Sequence, residues 1–171
     1  MKWVDLTHAL DSGTPPYPGD PRPELRRIRE LGRDGFNAWS LCTGLHAGTH
    51  VDLPLHMLDD PRTAAGFAPE RFCGRGVLLD VRGQSEIGWK ARYDTLVKTG
   101  DIVLLRTGSD ALFLSDPDRY FGEHPVLAPQ FADRLAACGV RMLGMDLPSP
   151  DRPPHALHKA LLGAGILLLE N

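Results

Sequence analysis

Apolar residues fall along this chain in short blocks separated by polar, glycine- and proline-rich joints. Four blocks are nearly continuous: VLLDV at Val77–Val81, IVLLR at Ile102–Arg106, VRMLGM at Val140–Met145 and ILLLE at Ile166–Glu170. Runs this short, rich in aliphatic residues and bounded by turn formers, predict buried strands. Between them lie segments that read as helices. One covers Ser85 to Lys98 with Gly100 closing it, and another covers Ala128 to Cys138 with Pro129 in its first turn and Gly139 ending it. A third covers Ala156 to Leu162, reached through Pro153 and Pro154 and stopped by Gly163 and Gly165. Upstream, Lys2–Leu6 and Phe36–Thr43 predict strands, while Glu24 to Leu31 has too weak a period to assign. Pro69 to Phe72 predicts a helical turn, and Asp116 to Phe121 a turn-rich insertion followed by an ordinary loop histidine, His124. Strand, helix, strand, helix, strand is the order of an α/β domain with at least partly parallel pairing.

One stretch departs from these spacings. From Leu45 to Met57 the chain reads LHAGTHVDLPLHM, with three of its seven histidines. Taken with a period of two, His46, Gly48, His50, Asp52, Pro54 and His56 share one face, and Leu45, Ala47, Thr49, Val51, Leu53, Leu55 and Met57 share the other. That alternation predicts an extended segment with a polar face and an apolar face. Gly44, Gly48 and Pro54 argue against a helix, as do the β-branched Thr49 and Val51. Imidazole and carboxylate are ligands that Zn(II), Mn(II) or Fe(II) accept, so a metal site explains the polar face better than a rim strand of solvated histidines.

Length and composition narrow the setting. A chain of 171 residues with 42% hydrophobic and 24% charged residues predicts one globular domain with a core of its own. The net charge of −3, with no Lys/Arg-rich run, excludes a nucleic-acid footprint and leaves small metabolites as partners. Cys42, Cys73 and Cys138 are odd in number and widely spaced, which argues against a disulfide framework or a thiolate zinc site. With no long apolar run near the N-terminus, the expectation is a cytoplasmic protein that does not enter membranes. Between the first strand and the next apolar block, DSGTPPYPGDPRP predicts an irregular loop. Tyr17 within it is either a binding contact or an anchor that packs the loop down.

The last twenty residues hold the remaining chemistry. His155 and His158 are three apart and share a helical face, and Glu170 ends the final apolar run. A carboxylate after ILLL must be paired, bind metal or reach solvent, because burying it alone is costly.

These residues carry a resemblance. HAGTHVDLPLH is similar to the signature His-x-Gly-Thr-His-x-Asp-x-Pro-x-His of the metal-dependent cyclase superfamily, which includes bacterial kynurenine formamidase and isatin hydrolase. YPGD resembles the superfamily's aromatic-Pro-Gly-Asp loop. GMDLPS and HKALLGAGILLLEN resemble its Gly-Ile-Asp segment and its closing helix and strand. The resemblance implies a single α/β domain of the swivelling β/β/α type, with a β-rich, barrel-like mixed sheet flanked by helices. It implies that residues 1–171 form one hydrolase domain without the superfamily's last C-terminal strands, assembled as a dimer or tetramer. It also implies two divalent ions per chain, Zn(II) with Mn(II) as the alternative. His46, His50 and Asp52 match ligands of the first ion, with Asp52 shared, and His158 and Glu170 match ligands of the second. His56 matches the proton donor and acceptor, and Tyr17 an aromatic lining the substrate pocket.

The chemistry implied is hydrolysis of an amide by metal-bound hydroxide, since a bound ion brings the pKa of water to about 7. No Gly-x-Ser-x-Gly elbow is present to support a serine hydrolase. By family analogy the leading substrate is N-formylkynurenine, an aryl formamide of tryptophan catabolism. The alternatives are another cyclic amide such as isatin, or a metal-binding module without activity of its own. Tyr17, where kynurenine formamidases carry Trp, leans toward the general cyclase group.

Overall fold

The structure, a computed structural model, describes residues 3–171. In chain order it contains β1 (Glu24–Arg29), α1 (Leu31–Asp34), β2 (Ala38–Cys42), β3 (His50–Asp52), β4 (Gly76–Asp80), β5 (Glu86–Ile87), α2 (Tyr93–Leu96), β6 (Ile102–Arg106), α3 (Pro117–Glu123), β7 (Val126–Leu127), α4 (Pro129–Cys138), β8 (Met142–Met145), α5 (Ala156–Gly163) and β9 (Leu167–Glu170). Five strands form the main sheet in the order β3-β9-β8-β6-β4. The pairs β4–β6, β6–β8 and β8–β9 are parallel, and β3 joins antiparallel to β9. This is an α/β domain with a mixed sheet flanked by helices. The central strand β8 is buried at all four positions. Phe131 and Leu135 of α4 and Leu161 and Leu162 of α5 join Leu79, Val103, Leu105, Leu143 and Leu168 of the sheet in one core.

The parallel strands, α4 and α5 lie where the apolar blocks predict them, and Gly139 caps α4 at φ 67°. Other expectations need correction. Lys2 lies outside the described residues, and residues 3–6 form no strand. The stretch Ser85–Lys98 is not one helix. Ile87 is buried in a parallel pair with Leu127, Gly88 interrupts, and only Tyr93–Leu96 is helical. Asp116–Phe121 is no mere turn: Asp116 caps α3 by accepting from the Arg119 N–H at 3.3 Å, with Pro117 in the first turn. β4 is buried on one face only, since Leu78 is 62% exposed between buried Val77 and Leu79.

Glu24–Arg29, whose pattern assigns no state, forms β1, which pairs antiparallel with β2 as a separate two-stranded arm. Every residue of β1 is exposed, as are Trp39 and Leu41 of β2. No described helix is long and apolar enough to cross a membrane.

Candidate metal centre

The polar face of Leu45–Met57 forms, though not by one extended strand. Residues 45–49 are a turn in which Gly48 takes φ 65°, a conformation that disfavours side chains. Only His50–Asp52 is strand, so the period of two places just His50 and Asp52 together. Pro54–His56 then winds into a 3₁₀ turn, with the His56 N–H donating to the Leu53 carbonyl at 2.9 Å. Two turns therefore fold His46 and His56 back over the strand.

The sheet register supplies the second half. His50 lies directly opposite Glu170 in the β3–β9 pair, which sets both side chains on one face. His158, in α5, reaches the same point. Asp151 holds that helix end: its Oδ2 accepts from the N–H groups of Leu157 at 2.7 Å and His158 at 3.4 Å.

Asp52 sits at the centre. Its Oδ1 is 3.1 Å from His46 Nδ1 and 3.6 Å from His50 Nε2, while its Oδ2 is 3.1 Å from His158 Nε2 and 3.7 Å from His56 Nε2. Glu170 lies 3.9 Å from His50 Nε2 and 4.0 Å from His158 Nδ1. Asp52, His158 and Glu170 are all buried. The structure thus brings together His46, His50, Asp52, His56, His158 and Glu170, and Tyr17 lines the same cavity of about 390 Å³.

The electrostatics are those of a crowded donor set. Burial raises the Asp52 pKa, but hydrogen bonds from His158 and His46 outweigh it and hold the carboxyl well below the usual range. Burial pushes Glu170 well above its usual value, and the charges of Asp52 and Asp151 add to that. The Asp52 hydrogen bond raises His46, whereas burial lowers His50 and His56. His50 Nδ1 is 2.9 Å from the Gly48 carbonyl; donation there leaves Nε2 with its lone pair facing the cluster.

This donor set fits a divalent cation. Glu170 Oε1 is buried with no hydrogen-bond partner among the described residues, an arrangement that costs free energy unless a cation satisfies it. His46 Nδ1 and His50 Nε2 approach to 3.0 Å, close enough for both nitrogens to reach one ion. Ligand atoms of His50, Asp52 and Glu170 lie within 4.8 Å of one another, as do those of His46, Asp52 and His56.

Several cavity residues were given no role in the site by the sequence pattern. His155 lines the cavity with Nδ1 3.3 Å from Asp151 Oδ1, and Asp151, His155 and His158 form a third such cluster. An aspartate just before a proline pair and a helix is a capping signal present in the sequence, and it could have found Asp151. Phe113, Tyr120 and Phe121 make an aromatic wall, with Tyr17 edge-on to Phe121 at 5.7 Å. Nothing in the spacing of α3, or of the 3₁₀ turn that Phe113 ends, marks those residues as cavity lining.

Known proteins share this arrangement of sequence and fold. The Cyclase family model matches residues 4–152. The kynurenine formamidase of Bacillus cytotoxicus is 29% identical over 175 residues, covering 99% of this chain and 81% of the relative. That of Sphingopyxis alaskensis is 30% identical over 176 residues, covering 97% and 80%. Isatin hydrolase A from Ralstonia solanacearum matches in fold with a TM-score of 0.86 at 20% identity, covering 98% of this chain and 77% of that one. The chain belongs to the Cyclase family.

Proposed function

We propose that this chain is a metal-dependent hydrolase of amide carbon–nitrogen bonds that acts on aryl formamides, with N-formylkynurenine the leading substrate. The observation that carries the reading is the convergence on Asp52 of four imidazoles, beside a Glu170 Oε1 that has no hydrogen-bond partner among the described residues, at an aromatic-lined cavity. His46, His50 and Asp52 would hold one divalent ion, and His158 and Glu170 a second, with Asp52 shared. Two Zn(II) per chain suit these ligands, with Mn(II) the alternative. Such ions supply Lewis acidity, polarising a carbonyl and acidifying water.

The chain's own groups do the rest. His56 Nε2 takes a proton from the attacking water and returns it to the leaving nitrogen. Burial lowers the His56 pKa against the opposing pull of Asp52, so the ring is neutral near pH 7 and ready as a base. Tyr17 and Phe121 present an aromatic surface on which an aryl ring packs.

A second reading within the same chemistry is a cyclic amide such as isatin. The fold likeness to isatin hydrolase A favours it. The proposal includes a homo-oligomer, dimer or tetramer, which would cover exposed Leu25, Ile28, Trp39 and Leu41 of the β1–β2 arm. It also includes a cytoplasmic setting, in keeping with three free thiols.

A substrate panel tests the reading. Zn(II)- or Mn(II)-loaded protein should hydrolyse N-formylkynurenine and simple formanilides, and chelation should abolish turnover. Faster turnover of isatin would select the cyclic-amide reading. Bound metal without activity on any aryl formamide or cyclic amide would contradict both.

A further inference from the structure

The cavity holds one imidazole that neither ion binding nor proton transfer employs. His155 lines it, and the side chain is 23% exposed. Its Nδ1 lies 3.3 Å from Oδ1 of buried Asp151. Its Nε2 has no hydrogen-bond partner among the described residues and is not closed off from solvent. The backbone is fixed on both sides: the His155 N–H donates to the Arg152 carbonyl at 2.9 Å, and the His155 carbonyl accepts from the Lys159 N–H at 3.1 Å. Alone among the described residues other than glycine, His155 has a positive φ, 59°. That conformation costs free energy for a side chain of this size.

Entry into α5 does not call for histidine at this point, since glycine or asparagine takes up such a backbone at lower cost. What histidine adds is the imidazole. Asp151, His155 and His158 are spaced as metal ligands, yet the Asp151 carboxylate is already spent on the chain. Its Oδ2 accepts from the N–H groups of Leu157 and His158, and its Oδ1 accepts from His155 Nδ1. A carboxylate behind Nδ1 fixes the ring and its tautomer, so the neutral imidazole presents a lone pair at Nε2. That atom takes a hydrogen bond from a donor. Among the described residues no lysine or arginine lines the cavity, whereas Asp20 lines it in addition to the ligand carboxylates. A cationic or N–H-bearing substituent suits such a wall, and an anionic one meets no basic side chain there.

We propose that His155 selects the substrate, its Nε2 accepting a hydrogen bond from an ammonium or N–H group that an aryl amide carries apart from the scissile bond. The inference rests on the amide-hydrolase reading above and adds which substituent the cavity reads. N-formylkynurenine carries such an ammonium on its side chain, and formanilide carries none. No bond forms or breaks at His155, so its contribution is to binding and is read in KM.

The test compares N-formylkynurenine with its deamino analogue, in which hydrogen replaces the ammonium, at matched metal content. Wild type should show a KM about tenfold lower for the parent, the scale of one hydrogen bond to a charged group. His155→Asn should erase that gap: its amide keeps the bond to Asp151 and tolerates the left-handed backbone, but falls short of the Nε2 position. His155→Gln, whose amide reaches that position, should restore part of the gap. Metal per chain should stay at the wild-type level in both variants. A gap that survives in His155→Asn overturns the proposal, as does failure of His155→Gln to restore any of it. Metal lost from His155→Asn also overturns it, because the residue would then be an ion ligand. A wild type inert toward every aryl and cyclic amide overturns the amide-hydrolase reading and this inference with it, whereas an active wild type without the gap overturns this inference alone.

Discussion

His56 and Glu170 stand within one cluster yet differ in what their removal should do. His56 is assigned to proton transfer, so His56→Ala should lower kcat by about 10²–10⁴ while bound metal, counted by elemental analysis, stays at the wild-type level. An unimpaired variant would remove His56 from the mechanism. Glu170 acts on stability. Its pKa is raised in the folded chain by burial, then by the charges of Asp52 and Asp151, so metal-free folding takes up a proton there. That contribution is complete below the ordinary glutamate range and is lost as pH rises through the raised value. Asp52 has the opposite sign: its lowered pKa contributes stability above the ordinary aspartate range and loses it as pH falls. Glu170→Gln keeps the neutral shape at all pH. Thermal melts of metal-free protein should therefore show the variant gaining on wild type as pH rises from about 4 to 7. A gap that does not change with pH would mean the carboxyl is not desolvated as drawn.

Elements bring these residues to one point, and Asp151 controls one of those elements. Its carboxylate accepts from Leu157, His158 and His155, anchoring the start of α5. Asp151→Ala should cost about 1–2 kcal/mol in denaturant unfolding, as lost helix caps do, and should weaken metal retention through His158. Undiminished stability and metal content would show that α5 is held by packing alone. The sequence made much of this level legible. Residues Ile102–Arg106 and Leu167–Glu170 are strands because continuous aliphatic runs suit a sheet covered on both faces. His50 and Asp52 share a face because they are two apart in a strand. Ser85–Lys98 misled because its charged and apolar residues mimic a helical period while tertiary pairing claims Ile87 for a strand. His46 and His56 reached the predicted site by turns at Gly48 and Pro54, which a simple alternation does not describe. The aromatic wall was illegible because Phe113 and α3 meet the site through tertiary folding, with no local pattern to announce it.

At the scale of the molecule, segments far apart in sequence close on the centre. Asn171 follows Glu170 and donates through Nδ2 to the Leu6 carbonyl at 3.1 Å, while its Oδ1 accepts from Thr49 of the histidine-rich turn. Thr49 Oγ1 also accepts the His8 N–H at 2.9 Å. The segment before β1, the turn before β3 and the residue after β9 are thus tied beside the ligand cluster. An ion bound there joins groups far apart in sequence, so metal loading should stabilise the whole fold and govern activity together. The most direct measurement is a titration of chelator-stripped protein with Zn(II), following formanilide hydrolysis against metal per chain. The stripped protein should show no turnover, with a rise that levels at two ions per chain, as a two-ion centre requires. Full turnover without metal, or none at any loading, would contradict it.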